Sequence, residues 1–166
     1  MNFKIVIIDY KYCDYLRKFD NKVIYNMGEK ELRPFLGVLF NIEKFEYFAP
    51  LSSPKKKHKT MKNMLDFFKI KNGELGVINF NNMIPVTSKN YLLINLNSDK
   101  LDSNIDKKYK KMLREQVIWL NKNNIQVRKK SNILYKLYTN GKLPLNIIKR
   151  CCNFKLLEEK CLEYNR

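Results

Sequence analysis

The sequence predicts an α+β fold, a twisted antiparallel sheet followed by helices, from two observations. Short apolar runs punctuated by Asn, Gly, Pro and Ser fill the first hundred residues, and segments with three- and four-residue apolar spacing follow them. Strands first and helices afterwards give an α+β arrangement, not an alternating parallel α/β one. The 166 residues suit one domain, and 45% of them are hydrophobic and spread from end to end. A single domain over residues 1–166 with one core is therefore expected, without the low hydrophobicity that accompanies disorder.

The elements follow in order. KIVII at residues 4–8 reads as a strand, and a helix over about residues 10–19 comes next, with Asp9 as its N-cap. A polar, turn-like segment follows. Apolar runs at 35–42 and 45–49, separated by Glu43 and Lys44, predict an antiparallel hairpin. Its second strand delivers the chain into Pro50, and Pro50 and Pro54 punctuate a loop. FFKIK, LGVINF, MIPV and YLLIN, between residues 67 and 95, read as further strands of the sheet. Over residues 106–124, Tyr109, Met112, Leu113, Trp119 and Leu120 recur at helical spacing with Gln116 as the one polar break, and Ser103-x-x-Asp106 supplies a capping box. A second helix is expected at about 127–140, ended by Gly141 and Pro144, and a third over 154–163, capped by Asn153.

Charge narrows the function. Lys and Arg number 33 against 16 Asp and Glu, a net charge of +17. Such a surface repels itself unless a polyanion is the partner, which points to nucleic acid. A codon bias toward Lys would explain many lysines but not the scarcity of acids. No apolar run spans a bilayer and no signal-peptide pattern opens the chain, so a cytoplasmic protein without a membrane partner is expected. Cys13, Cys151, Cys152 and Cys161 lack metal-ligand spacing, so reduced, buried thiols are expected, with no metal and no cofactor.

The chemistry is placed in APLSSPKKKH, residues 49–58. No acid occurs from Pro54 to Leu65, while Lys55, Lys56, Lys57, Lys59 and Lys62 surround the only histidine, His58. A solvated surface loop is the ordinary reading of a lysine run. Two prolines stiffen this one, however, and Ser52 and Ser53 stand beside Lys55, so hydroxyls, backbone N–H groups and an ammonium can converge on one phosphate. RNA suits such a site because its own 2′-OH attacks the neighbouring phosphorus. Cleavage then needs a base, an acid and stabilisation of phosphorane charge. Lys55 suits charge stabilisation, and serves as base or acid only with a lowered pKa. His58 lies nearest neutrality but beyond the turn, where a phosphate contact or a surface role is equally expected. Tyr25 and Arg33 read as a proton carrier and a phosphate clamp, or else as a packing tyrosine and a surface arginine. Lys107, Lys108, Lys110, Lys111 and Arg114 on the first long helix, and Arg128, Lys129 and Lys130 after it, give a basic track for a long or folded RNA. Trp119 could stack an unpaired base or sit in the core.

Read together, FKI, YLRKFDNKV, PFLGVLFNI, YFAPLSSPKKKH, LGVINFNNMIPV, YKKMLREQ and NFKLLEEKCLEY, in that order, resemble the ToxN and AbiQ family. These are the endoribonuclease toxins of type III toxin–antitoxin systems, several of which act in abortive infection against phage. In that family the loop reads APL[ST]SPK, and its hydroxyls and lysine are implicated in cleavage; the matching positions are Ser52, Ser53 and Lys55. An upstream tyrosine, a basic residue before the second strand and an aromatic of the long helix correspond to Tyr25, Arg33 and Trp119. The resemblance implies a compact, strongly twisted antiparallel sheet flanked by helices, similar to the MazF and Kid toxins. It also implies metal-independent RNA cleavage, mRNA as substrate, and inhibition by a small repeated RNA pseudoknot that holds the toxin in a closed assembly. The alternative from composition alone is a non-catalytic basic RNA-binding protein.

Overall fold

Strands and then helices are what the computed structural model contains; it describes residues 2–25 and 33–164. The strands are β1 (Lys4–Ile8), β2 (Phe35–Gly37), β3 (Asn41–Ile42), β4 (Phe45–Ser52), β5 (Phe67–Lys69), β6 (Val77–Asn79), β7 (Ile84–Val86) and β8 (Tyr91–Leu93). The helices are α1 (Tyr10–Arg17), α2 (Lys56–Thr60), α3 (Asn104–Lys122), α4 (Asn124–Thr139), α5 (Leu145–Ile148) and α6 (Phe154–Tyr164). Part of the polar segment expected after α1, residues 26–32, lies outside the described residues.

The eight strands form one antiparallel sheet in the order β5-β6-β4-β2-β1-β8, with β3 and β7 also paired to β4. β4 is its hub. Its first half pairs with β3 and β7 and its second half with β2 and β6, so one long strand changes partners midway. That exchange delivers its C-terminal end, Ser52, between two other strands.

Local signals act where expected. The Asp9 carboxylate accepts the Lys11 N–H at 3.0 Å and starts α1. Ser103 and Asp106 form the reciprocal capping box of α3, and Asn153 accepts from Leu156 N at the start of α6. The hairpin at Glu43 and Lys44 forms, with Glu43 in the left-handed region at φ 50°.

Other boundaries differ. The run at 35–42 splits into β2 and β3. Pro50 lies within β4 rather than in a loop: Leu51 turns its N–H to the Pro34 carbonyl, so Pro50 turns its missing donor toward β6, where the ladder forgoes one bond. α4 begins at Asn124, directly after the Asn123 that ends α3, and the short helices α2 and α5 were not anticipated.

The core fills both faces of β4. Tyr47, Phe48, Phe35 and Phe80 are fully buried with Leu16, Leu113, Leu120 and Phe154 of the surrounding helices. Inside it, Glu158 of α6 accepts the Tyr47 and Tyr135 hydroxyls, each at 2.7 Å, and the Lys155 ammonium at 3.0 Å. One carboxylate thereby ties β4, α4 and α6 together. All four cysteines are buried and unbridged, and burial pushes the Cys13 and Cys151 thiols up to about 12. Among the described residues, no helix is long and apolar enough to cross a membrane.

Candidate active site

Three strand ends meet at residues 52–55. β2 pairs Phe35 with Pro50 and Leu36 with Ala49, and continuing that register sets Arg33 opposite Ser52. β6 lies on the other side, with Val77 opposite Ser52. From β6, the Asn79 side-chain nitrogen stands 2.9 Å from the Ser52 hydroxyl oxygen and 3.5 Å from the Pro50 carbonyl.

Beyond Ser52 the chain is held by two glycines. Between β5 and β6, Lys71 and Asn72 both adopt positive φ, and Gly73 and Gly76 sit at φ +90° and +94°. A Cβ on Gly76 would lie 2.0 Å from the Ser52 carbonyl oxygen, and one on Gly73 would lie 2.4 Å from that of His58. Only residues without side chains allow this hairpin to press against both ends of the loop. Gln116, the polar break in α3, completes the support: fully buried, it donates to the Leu75 carbonyl at 2.7 Å.

His58 is placed differently from expectation. It is 3% exposed, not on the surface. Its Nδ1 accepts the Lys55 N–H at 3.2 Å, while its own backbone N–H returns to the Lys55 carbonyl at 2.9 Å. An imidazole three residues into the helix thus performs the reciprocal capping usually left to Glu or Gln. Accepting at Nδ1 requires the neutral ring, and burial, with Lys57 and Lys55 nearby, pushes the pKa of His58 below its ordinary value. It is a support of the loop and not a displayed phosphate contact.

Ser53, Lys55, Lys56, Lys57, Lys59 and Lys62 are exposed, and Ser52 and Arg33 are half-buried. Tyr25 is exposed under the Arg17 guanidinium, 5.4 Å from its ring centre, and shares no hydrogen bond with residues 52–55. The strand register sets Arg33 beside Ser52, with Ser53 and Lys55 following in the loop, while the contact found for Tyr25, in the segment after α1, is with Arg17.

The second basic surface divides. Lys108, Lys111 and Lys129 are exposed and Lys107 is half-buried. Lys110 is paired with Asp102 at 2.8 Å. Arg114 donates to the Leu96 carbonyl, and Arg128 to those of Val38 and Leu39 while covering the Phe3 ring at 4.4 Å. Both arginines are half-buried, and one nitrogen of each guanidinium is engaged by main-chain carbonyls. Lys130 lies 5.0 Å from the centre of the Phe68 ring, and Trp119 packs on the same ring at 6.1 Å. Trp119 therefore belongs to the edge of the core, and its other edge is half-exposed.

Asn79, Gly73 and Gly76 were not singled out from sequence. The available signal was local: two glycines flanking Glu74 and Leu75 mark left-handed positions. The pairing of LGVINF with the loop is non-local and carries no such mark. Among the described residues, no group of three His, Cys, Asp or Glu side chains could hold a metal ion.

Known proteins share both sequence and fold with this chain. It is 35% identical over 167 residues to the endoribonuclease ToxN of Bacillus thuringiensis subsp. kurstaki, covering 98% of this chain and 84% of that protein. Endoribonuclease ToxN of Pectobacterium atrosepticum is 34% identical, over 98% of this chain and 94% of that protein. The solved structure of AbiQ, a lactococcal anti-phage endoribonuclease of a type III toxin–antitoxin system, superposes with a TM-score of 0.84 at 29% identity over 99% of each chain. A structure concerned with selective toxin inhibition by a non-coding RNA pseudoknot superposes at 0.82, with 32% identity over 100% of this chain and 99% of that one. The model of the toxin ToxN of type III toxin–antitoxin systems matches residues 4–162, so the chain belongs to the ToxN family of endoribonuclease toxins.

Proposed function

We propose that residues 1–166 act as one endoribonuclease toxin domain that cleaves single-stranded RNA, mRNA included, with sequence preference and without a metal. One observation supports this reading: the loop that carries Ser52, Ser53 and Lys55, with Arg33 next to it in register, is braced by β2, β6 and the Gly73–Gly76 hairpin. The RNA 2′-oxygen attacks the adjacent phosphorus, the bond from phosphorus to the 5′ oxygen breaks, and the products carry a 2′,3′-cyclic phosphate and a 5′-OH. The Lys55 ammonium and the two serine hydroxyls meet the charge that grows on the phosphoryl oxygens, and Arg33 clamps the phosphate from the segment that leads into β2. One proton leaves the 2′-OH and one reaches the 5′ oxygen. Lys55 and Tyr25, both exposed, are the groups to test as carriers of these transfers.

The same basic surface binds a repeated RNA pseudoknot antitoxin that covers the loop and holds the toxin in a closed protein–RNA assembly. Support comes from relatives whose structures concern inhibition by such an RNA and from the exposed lysines of α2 and α3. The setting is the cytoplasm, and release during phage infection gives a defensive role like that of AbiQ.

Incubating the purified protein with single-stranded RNA in excess chelator tests the chemistry. Cyclic-phosphate ends are expected from the wild type and are lost in Ser53→Ala and Lys55→Ala. Intact RNA that is nevertheless bound overturns the enzyme reading, and a strict Mg²⁺ requirement overturns the mechanism.

A further inference from the structure

The side chain of Asn79 reaches Ser52 directly from β6. Its nitrogen is 2.9 Å from Ser52 Oγ and 3.5 Å from the Pro50 carbonyl oxygen. An amide oxygen turned toward the Pro50 carbonyl oxygen would oppose its dipole, so the amide faces β4 with its nitrogen. Ser52 Oγ therefore accepts this hydrogen bond, and its own proton stays available. Pro50 makes the arrangement possible. It presents a carbonyl toward β6 with no N–H beside it, and the Asn79 amide reaches that carbonyl and Ser52 at once.

Resting on the cleavage reading above, we infer that Asn79 is a positioning residue that fixes Ser52 as a hydrogen-bond donor to the scissile phosphate. An unanchored serine hydroxyl rotates and is as ready to accept as to donate. With one lone pair held by Asn79, the hydroxyl proton is turned away from that amide and is free for a phosphate oxygen. The donor is then oriented before RNA binds, so no reorganisation is needed when charge develops on the phosphorane. Gly76 adds to the fixation from the same hairpin, because it lets the β6 backbone lie directly against the Ser52 carbonyl.

A double-mutant cycle in single-turnover cleavage of a short single-stranded RNA, with thermal melts alongside, tests this. Asn79→Ala is expected to lower kcat about tenfold or more with KM little changed, less than the ~10²-fold expected for removing a transition-state donor outright in Ser52→Ala. In the Ser52→Ala background, Asn79→Ala is expected to have no further effect, a result that a purely structural role does not give. Asn79→Asp keeps the shape but accepts the Ser52 proton when ionised. Its activity relative to wild type should fall below that of Asn79→Ala at neutral pH and recover as the carboxyl is protonated. If Asn79→Ala costs the same factor in both backgrounds, or Asn79→Asp matches wild type throughout, the inference is wrong while the site stands. If Ser52→Ala itself cleaves like wild type, the assignment of Ser52 as a phosphate donor fails first.

Discussion

His58 and Gly76 carry the most testable chemistry at the scale of single residues. The folded protein holds His58 below its ordinary pKa of 6.5, so between the two values the unfolded chain binds more protons than the folded one. The stabilisation from the neutral imidazole is fully present above about pH 6.5 and is lost as pH falls through the folded value. Melting temperature should therefore drop on acidification, and His58→Gln, whose amide can still accept from the Lys55 N–H, should flatten that dependence. A parallel fall in both proteins would show that other groups set the acid limit. Gly76→Ala combines a left-handed backbone with a Cβ 2.0 Å from the Ser52 oxygen. It should lower stability by ~2 kcal/mol or more and depress cleavage in the fraction that remains folded. Gly141→Ala is the control: its φ is +67° but nothing lies within 4 Å, so about 1 kcal/mol should be lost with cleavage intact. The sequence singles out Ser52, Ser53 and Lys55 by the chemistry of their side chains, and the structure sets Ser52 where β4 meets β2 and β6. It put His58 on the surface because five lysines within four residues of it look like solvent-facing sequence. The imidazole is in fact buried, and the hairpin containing Gly73 packs against the backbone of the same residue, a non-local contact.

Elements were legible in proportion to how local their causes are. Asp9, the Ser103 and Asp106 pair and Asn153 start their helices through atoms at most three residues away, and those starts were read correctly. α2, α5 and β3 have five, four and two residues. Helices that short have no stability of their own and exist because something packs on them, as Lys69 does when it donates to the Lys59 carbonyl at the end of α2. The pairing of β4 with four strands, and with it the location of Pro50 inside a strand, likewise depends on contacts across long stretches of chain. Between elements, Glu158 is the most exposed to disruption because three donors share it, two of them the hydroxyls of the buried Tyr47 and Tyr135. Glu158→Ala leaves both hydroxyls buried without their acceptor and should cost ~3–5 kcal/mol. Chemical denaturation would read this as a lower midpoint with an unchanged slope. A loss under 1 kcal/mol would mean that α6 docks through its apolar face alone, with Phe154 and Leu157 sufficient to hold it.

On the scale of the whole molecule, the decisive quantity is where the excess positive charge remains free. Among the described residues, ion pairs engage Lys22, Lys71, Lys110, Arg150, Lys155 and Lys160, whereas Lys56, Lys57 and Lys59 beside the loop enter none. Arg114 and Arg128 each bind main-chain carbonyls through one nitrogen, so the more accessible cations of the helices are Lys108, Lys111 and Lys129, with Lys107 half-buried. Two groups of lysines follow, one beside residues 52–55 and one on the helices, and salt tells whether they act apart. For single-stranded RNA, each neutralised phosphate contributes about 0.7 to the slope of log affinity against log salt. Replacing Lys56, Lys57 and Lys59 by Gln should reduce that slope by roughly 2 for a short substrate and raise KM most at low salt, with kcat at saturation unchanged. Replacing Lys107, Lys108 and Lys111 instead should leave the short substrate untouched and weaken a folded RNA large enough to reach α3. If both triple variants weaken the short substrate equally, the two groups form one continuous groove, and α3 contributes to the substrate path itself.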